Sequence, residues 1–422
     1  MGRSWTTTGA TDVMTRARGP LLALVGTVAV LCAADTANAQ LREDLRFAGY
    51  YLGVGSGYLE GPFNPSGASL FQRVRLMMAP DLGPLQTDVA YEQALNLVTD
   101  PLLGLTPSLG EVQAGTEWLP LQWTIAEGEY ASWRHRFDRL LIGAPLGRSA
   151  EITVGRQTVS WATSLIFTPA DPFAPFDPAD PFREFRAGVD AVRLQGFPGV
   201  FTELEFVFRP ADTRDGTTIT ALGRITTASG PWEVSGWAGV LHDEGAVSAA
   251  ATLTAAGTAF RGEAELRWPD DVLRFSIGAD RSFPLAGRDL YVILEYQRDG
   301  YGAADPDHYL EVLLSDPYSR GEMQVIGRNE TAIQASWQAS PLVTTDFLTI
   351  WNMNDASFLL SPAASYSVSN EVYVRGGFFF GIGANERRID APVVAEEPEI
   401  VLPGSEYGIV PSSLYVSLTA FF

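Results

Sequence analysis

The sequence predicts an all-β chain closed into one transmembrane, antiparallel, up-and-down β-barrel of eighteen strands, with sixteen as the alternative. Three observations predict it. Segments of about ten residues alternate apolar and polar from end to end, the side-chain period of a strand. The polar face of these segments is often charged, so it meets water. The connections are compact on one side and long on the other, as in barrels that cross a bilayer.

The strands are expected near 45–53, 69–79, 85–95, 130–140, 151–161, 187–196, 200–208, 217–228, 231–240, 246–256, 258–268, 272–281, 289–298, 328–338, 342–352, 356–368, 371–383 and 412–422. In VFTELEFVFR, Leu204, Phe206 and Phe208 oppose Glu203, Glu205 and Arg209. In AFRGEAELRW, Phe260, Leu266 and Trp268 oppose Arg261, Glu263, Glu265 and Arg267. In EVYVRGGFFF, Val372, Val374, Phe378 and Phe380 oppose Tyr373 and Arg375. A soluble sandwich would run to about 100 residues per domain with linkers between domains. The composition shows no such break. No segment after the N-terminal region has the 3.6 period of a covering helix.

Compact connections such as PDLGP, SGP and SFPLAGR carry the Gly and Pro of tight turns. Long connections fall near 54–68, 96–129, 162–186, 299–327 and 384–411. An even strand number puts both termini on the short-turn side, which is expected to be periplasmic, with the long loops extracellular.

Residues 1–39 read as an export signal. Arg16 and Arg18 precede the apolar run Leu21 to Cys32, and Ala37-Asn38-Ala39 fits a small-x-small cleavage site. The mature chain, 40–422, then begins at Gln40 as a single barrel, and Met14 is an alternative start that gives an ordinary signal length. Cys32 is the only cysteine, so cleavage leaves no thiol and no disulfide. The 29 basic residues are all Arg, and the net charge of −21 opposes nucleic-acid phosphates.

The last segment, SSLYVSLTAFF, alternates to its end: Leu414, Val416, Leu418 and Phe422 on one face, Ser413, Tyr415, Ser417 and Thr419 on the other. A final strand ending on Phe resembles the signal that Gram-negative outer-membrane barrels present to the barrel-assembly machinery. Phe422 is the residue that carries it; Ala420 departs from the aromatic often found third from the end. Signal peptide, strand number and loop layout together resemble porins and alginate-export-type channels. The resemblance implies an outer-membrane channel for passive or facilitated passage of a small polar or amphiphilic solute. The alternative is a non-conducting surface protein that anchors or assembles polysaccharide, or binds a partner, through its long loops. Partners are then outer-membrane lipid, lipopolysaccharide, the assembly machinery and the solute, with the oligomeric state open.

Two sets of residues are candidates for function. In FTPADPFAPFDPADPFREFR (167–186), Asp171, Asp177 and Asp180 each precede Pro, which stiffens the backbone. With Phe173, Phe176, Arg183 and Arg186 they form either a constriction in the barrel mouth or a turn-rich surface loop. Three carboxylates are also the oxygen donors that Ca²⁺ takes, but no metal and no cofactor is assigned. The second set is the charge expected to face the lumen: Arg73, Arg75, Arg134, Arg136, Glu203, Glu205, Arg261, Glu263, Glu265 and Arg267. These form either a selectivity track or cross-strand pairs that stiffen the wall.

An enzyme is not expected. The three histidines are His135, His242 and His308. On a strand, His135 points away from Ser132 and Asp138, and His242 and His308 read as solvated loop residues. No HExxH, GxSxG or phosphate-loop motif is present.

Overall fold

Alternation turns into strand at all eighteen expected places. The computed structural model describes residues 47–105, 116–173, 178–182, 185–390 and 399–422; the expected signal peptide and its cleavage site lie outside these. In chain order the strands are β1 (Ala48–Tyr58), β2 (Gly67–Met78), β3 (Gln86–Val98), β4 (Gln122–Gly128), β5 (Ala131–Pro145), β6 (Ala150–Gln157), β7 (Val189–Gly199), β8 (Thr202–Thr213), β9 (Gly216–Ser229), β10 (Trp232–Leu241) and β11 (Glu244–Ala255). They continue with β12 (Thr258–Trp268), β13 (Val272–Leu285), β14 (Arg288–Arg298), β15 (Asn329–Ser340), β16 (Val343–Asn352), β17 (Ser357–Ser367), β18 (Val372–Ile382), β19 (Glu386–Asp390), β20 (Glu399–Pro403) and β21 (Ser413–Phe421). Each wall strand pairs antiparallel with its neighbours. β21 pairs with β18 on one edge and with β1 on the other, so the sheet closes. β4, β19 and β20 stand outside the ring of eighteen.

Closure leaves no sheet edge in the ring, the condition for β structure in hydrocarbon. It puts the start of β1 and the end of β21 at the short-turn end, where Tyr50 pairs with Phe421. Several connections are two-residue turns with both residues at positive φ, the geometry that matches strand twist: His242–Asp243, Ala256–Gly257 and Ala286–Gly287.

The first strand departs from its expected place. It runs over 48–58, not 45–53, so GVGSG lies inside it and not at its end. The reason is an inverted pattern. Tyr50, Leu52 and Val54 face inward and are buried, whereas Gly53, Gly55 and Gly57 face outward. The strand β4 was not foreseen either. It pairs with residues 131–136 of β5, on the edge that β6 occupies over residues 140–145. β6 leaves the wall at Gln157, and β4 extends the wall where β6 stops.

The outer surface is apolar. Leu204, Phe206 and Phe208 on β8, Leu266 on β12, Leu294 on β14 and Leu414, Val416 and Leu418 on β21 are all exposed. Large aromatics mark both rims of this belt: Phe201, Trp232 and Phe283 at the short-turn end, and Trp123, Trp268 and Trp351 at the loop end. An apolar band between aromatic girdles is the outer surface of a barrel built for lipid. Many inward residues are polar or charged, as in Glu205 and Arg209 on β8 and Glu263, Glu265 and Arg267 on β12.

Phe206 sits near the middle of β8, facing out. Phe206→Arg is expected to destabilise the barrel by about 2–4 kcal/mol, the cost of a cation near the bilayer midplane. Denaturant unfolding of protein refolded into lipid vesicles measures it.

Candidate functional site in the barrel lumen

The described residues of the connection between β6 and β7, 158–173, 178–182 and 185–188, lie in the lumen and reach across it. Trp161 and Phe173 pack with Val207 on β8, Leu222 on β9 and Trp237 on β10. Ile166, Phe167 and Phe182 belong to a second cluster with Tyr50, Leu52 and Val54 on β1, Ile293 on β14, Ile350 on β16 and Tyr415 on β21. The segment therefore meets wall strands on opposite sides of the bore. Phe167 and Phe173 are each 0% exposed, as deeply enclosed as any soluble core.

An irregular segment in the lumen has no neighbouring strand to receive its N–H groups. Wall carboxylates receive them. The amides of Thr163, Ser164 and Ala170 donate to Glu263 at 2.6, 3.0 and 3.1 Å. Those of Leu165, Ile166 and Phe167 donate to Glu295 at 2.7, 2.8 and 2.9 Å. Thr168 donates its N–H to Gln324 Oε1 (2.6 Å), from the β14–β15 connection, and Gln324 Nε2 donates back to Ile166 O. Trp237 Nε1 donates to Ala170 O, and Arg73 donates to Phe182 O at 3.1 Å.

Within the segment, Asp171 is 4% exposed. It accepts the N–H groups of Trp161 and Phe173 and pairs with Arg186. Asp180 caps its own turn by accepting from the Phe182 N–H. Phe182 meets Tyr415 edge-on at 5.0 Å, and Phe185 stacks on Tyr50. Phe176, Asp177 and Arg183 lie outside the described residues. Of the expected set, Asp171, Phe173, Asp180 and Arg186 are thus placed in the lumen, not on a surface loop.

The expected lumen charges all lie on wall strands, and most are paired. Arg75 donates to Glu92 and contacts Asp138 (2.5 and 2.7 Å), and Arg136 bridges the same two carboxylates (2.8 and 3.0 Å). Glu205 accepts from Arg193, and Glu203 from Gln195. Arg261 pairs with Asp280. Arg267 is shared by Glu265 and Glu322, and Arg134 pairs with Glu127 at the exposed rim.

Sequence reasoning missed the groups that tie connections to the wall. Arg156 and Asp190 form a two-point pair at 2.8 Å. Asp190 also accepts the N–H groups of Trp118 and Leu119, which leads the chain into β4. Arg274 pairs with Asp299 in the same two-point way and reaches Glu322 O. Glu322 lies in the β14–β15 connection. Burial alone would raise its carboxyl, but Arg267 and Arg320 outweigh it and hold it down to about 2. His242 is a correction: it is 3% exposed, not solvated. Burial, reinforced by Arg209 and Arg320, pushes it down to about 3, so it stays neutral beside Thr218. His308 is exposed beside Glu311. His135 lies on the outer side of β5 against Trp123 and Tyr91.

Between the crossing segment and the wall, toward the short-turn end, lies a cavity of about 170 Å³. Pro181 and Phe182 form one side; Tyr50, Tyr373, Arg375, Ser417 and Thr419 line the other. Arg375 is held by Asp346 at 3.2 Å.

No protein-family model matches the chain, and no curated protein matches it. Solved structures do. Wzi of Escherichia coli, an outer-membrane protein involved in group 1 capsule assembly and a carbohydrate-binding β-barrel, aligns over 90% of this chain and 86% of its own, at 9% identity and TM-score 0.53. OccAB1 of Acinetobacter baumannii aligns over 89% and 95%, at 9% identity and TM-score 0.50. A BenF-like porin from Pseudomonas fluorescens Pf-5 aligns over 89% and 97%, at 10% identity and TM-score 0.48. The likeness is one of fold: this chain is a closed, eighteen-stranded antiparallel barrel of the kind found in Gram-negative outer membranes.

Proposed function

We propose that the protein is an outer-membrane channel for passive or facilitated passage of a small polar or amphiphilic solute, restricted by its own 158–188 segment. The observation that carries this reading is the crossing itself. A segment tied to β12 and β14 by amide–carboxylate bonds and packed against β8–β10 on one side and β1 and β21 on the other narrows an eighteen-stranded bore to gaps along the wall. The cavity beside Pro181 and Phe182 is such a gap, and its hydroxyl, aromatic and guanidinium lining suits a small polar solute. The Phe182–Tyr415 edge contact joins the crossing segment to the wall beside it. In this reading the loop end faces outward and both termini face the periplasm, after removal of residues 1–39. The belt contacts outer-membrane lipid and lipopolysaccharide, and the strand ending at Phe422 engages the assembly machinery.

One observation favours the second reading, a non-conducting protein that binds or assembles polysaccharide, or a partner, through its loops. The aromatic side chains on the crossing segment are enclosed like those of a solid core. Wzi, described as carbohydrate-binding, shares the fold.

Glu295→Ala leaves three amides without acceptors, at about 1–3 kcal/mol for each buried group left unpaired. Hydrogen exchange at Leu165, Ile166 and Phe167 is expected to quicken while the wall strands stay protected. Single-channel recording in planar bilayers tests the function. Wild-type protein should give small steps, and the Glu263→Ala, Glu295→Ala double variant steps several-fold larger. Deleting residues 167–186 should act in the same direction. Silence in all three would reject the channel and favour the second reading.

A further inference from the structure

Three loop-end connections meet at one buried cluster of carboxyl groups. Glu330, at the start of β15, is 0% exposed, and Glu406, in the connection before β21, is also buried. Glu406 accepts the N–H groups of Ile326 (2.8 Å) and Gly327 (3.0 Å) from the β14–β15 connection. It also accepts from Asn352 Nδ2, at the end of β16, at 2.7 Å. Glu330 accepts the Tyr407 hydroxyl on Oε2 at 2.6 Å. Its Oε1 has no donor among the described residues and lies beside Glu406, since Gly327 and Asn352 Nδ2, which both donate to Glu406, border it. Gly327 lies against the same oxygen; a side chain there would strike Glu330 and Asn352.

The groups facing this pair are acids and phenols. Asp355, in the β16–β17 turn, accepts the Tyr309 hydroxyl (2.5 Å) and the Glu406 N–H (2.7 Å). Tyr309 also accepts from Asn352. The cations on the same connections bond to other groups: Arg328 donates to Gly302 O, Arg387 pairs with Asp307, and His308 pairs with Glu311. Two adjacent buried carboxyl groups without a counter-charge do not both ionise. An oxygen with no donor is costly unless it carries the hydrogen itself. One proton resolves both problems, with Glu330 Oε1–H donating to Glu406.

We propose that Glu330 and Glu406 share a proton that latches the β14–β15 connection to the chain at Glu406–Tyr407 at the rim, closing the loop-end mouth in acid and releasing it in alkali. Burial holds the Glu406 carboxyl above its ordinary value, in keeping with this. The sign follows from linkage. The latched form holds a proton that the open form, with hydrated carboxylates, gives up. Rising pH therefore drives opening, by up to about tenfold per pH unit while the two forms differ by one proton. The latch lies at the mouth and does not depend on whether the bore conducts.

Hydrogen–deuterium exchange of the full chain in detergent micelles tests it, with rates corrected for the intrinsic pH dependence of amides, across about pH 5 to 9. Protection at Ile326 and Gly327 should fall with pH by up to about tenfold per unit, while β8 stays constant. In Glu330→Gln the amide donates to Glu406 without titrating, so protection should become independent of pH. A flat wild-type profile, or the wild-type slope retained in Glu330→Gln, overturns the proposal. Asp355→Asn is the second arm. A slope that persists there supports the Glu330–Glu406 pair, and a slope that disappears assigns the proton to Asp355 and overturns it.

Discussion

The structure depends on one constraint: every backbone amide taken out of water needs an acceptor. The wall meets it by closing, with β21 pairing to both β18 and β1. The lumen cannot meet it that way. An eight-stranded barrel is just narrow enough for side chains to fill; one of eighteen strands is far wider, so main chain has to enter if the bore is to be filled. That main chain is irregular, and its donors point at the wall. Glu263 and Glu295 each receive three of them and Asp190 two, while Glu406, itself in a connection, receives two more. Part of the acidic excess of the chain is thereby explained. These carboxylates are acceptors for peptide N–H groups first and charges second.

The guanidinium groups complement this arrangement. Arg75 and Arg136 share Glu92 and Asp138, while Arg156 and Arg274 each clamp one carboxylate at two points. Planar, two-point pairing is what guanidinium offers. Pairs this deeply buried roughly cancel between desolvation and attraction, so they are weak sources of net stability. Their value lies in position. Arg156–Asp190 seats the chain that enters β4, and Arg274–Asp299 with Arg267–Glu322 seats the β14–β15 connection. Breaking one partner strands the other in a dry site, so the geometry is enforced.

The wall was legible in the sequence; of the filling, only the segment 167–186 was, as one of two readings, and its bonds to the wall were not. Strand and barrel follow from period 2, a local property, and β8, β12 and β21 show it cleanly. β1 hid its limits because its apolar residues face the crossing segment and its glycines face out, so its alternation reads inverted. The lumen bonds are remote in sequence: Glu295 meets amides about 130 positions earlier. No local pattern encodes such a pairing. Glu263 and Glu265 share a face two residues apart, and as sequence they are equivalent. In the barrel one receives amides and the other Arg267. The burial of His242 was invisible for the same reason, since a two-residue turn reads as solvated until inward-folded connections cover it.

Wall and filling are held by separate sets of bonds, and this separation is what makes a functional lumen possible. The wall's hydrogen bonds run strand to strand around a closed ring and use none of the carboxylates that hold the 158–188 segment. Those carboxylates are side chains on strands whose own backbones are already satisfied. The crossing segment can therefore shift, loosen or rebuild without opening the barrel, while the apolar belt keeps the ring in lipid. A barrel of fixed outline can carry different internal segments, each needing only acceptors at matching heights on the wall. In the proposed channel, passage is set where the filling meets the wall, at residues such as Phe182, Tyr415 and Arg375.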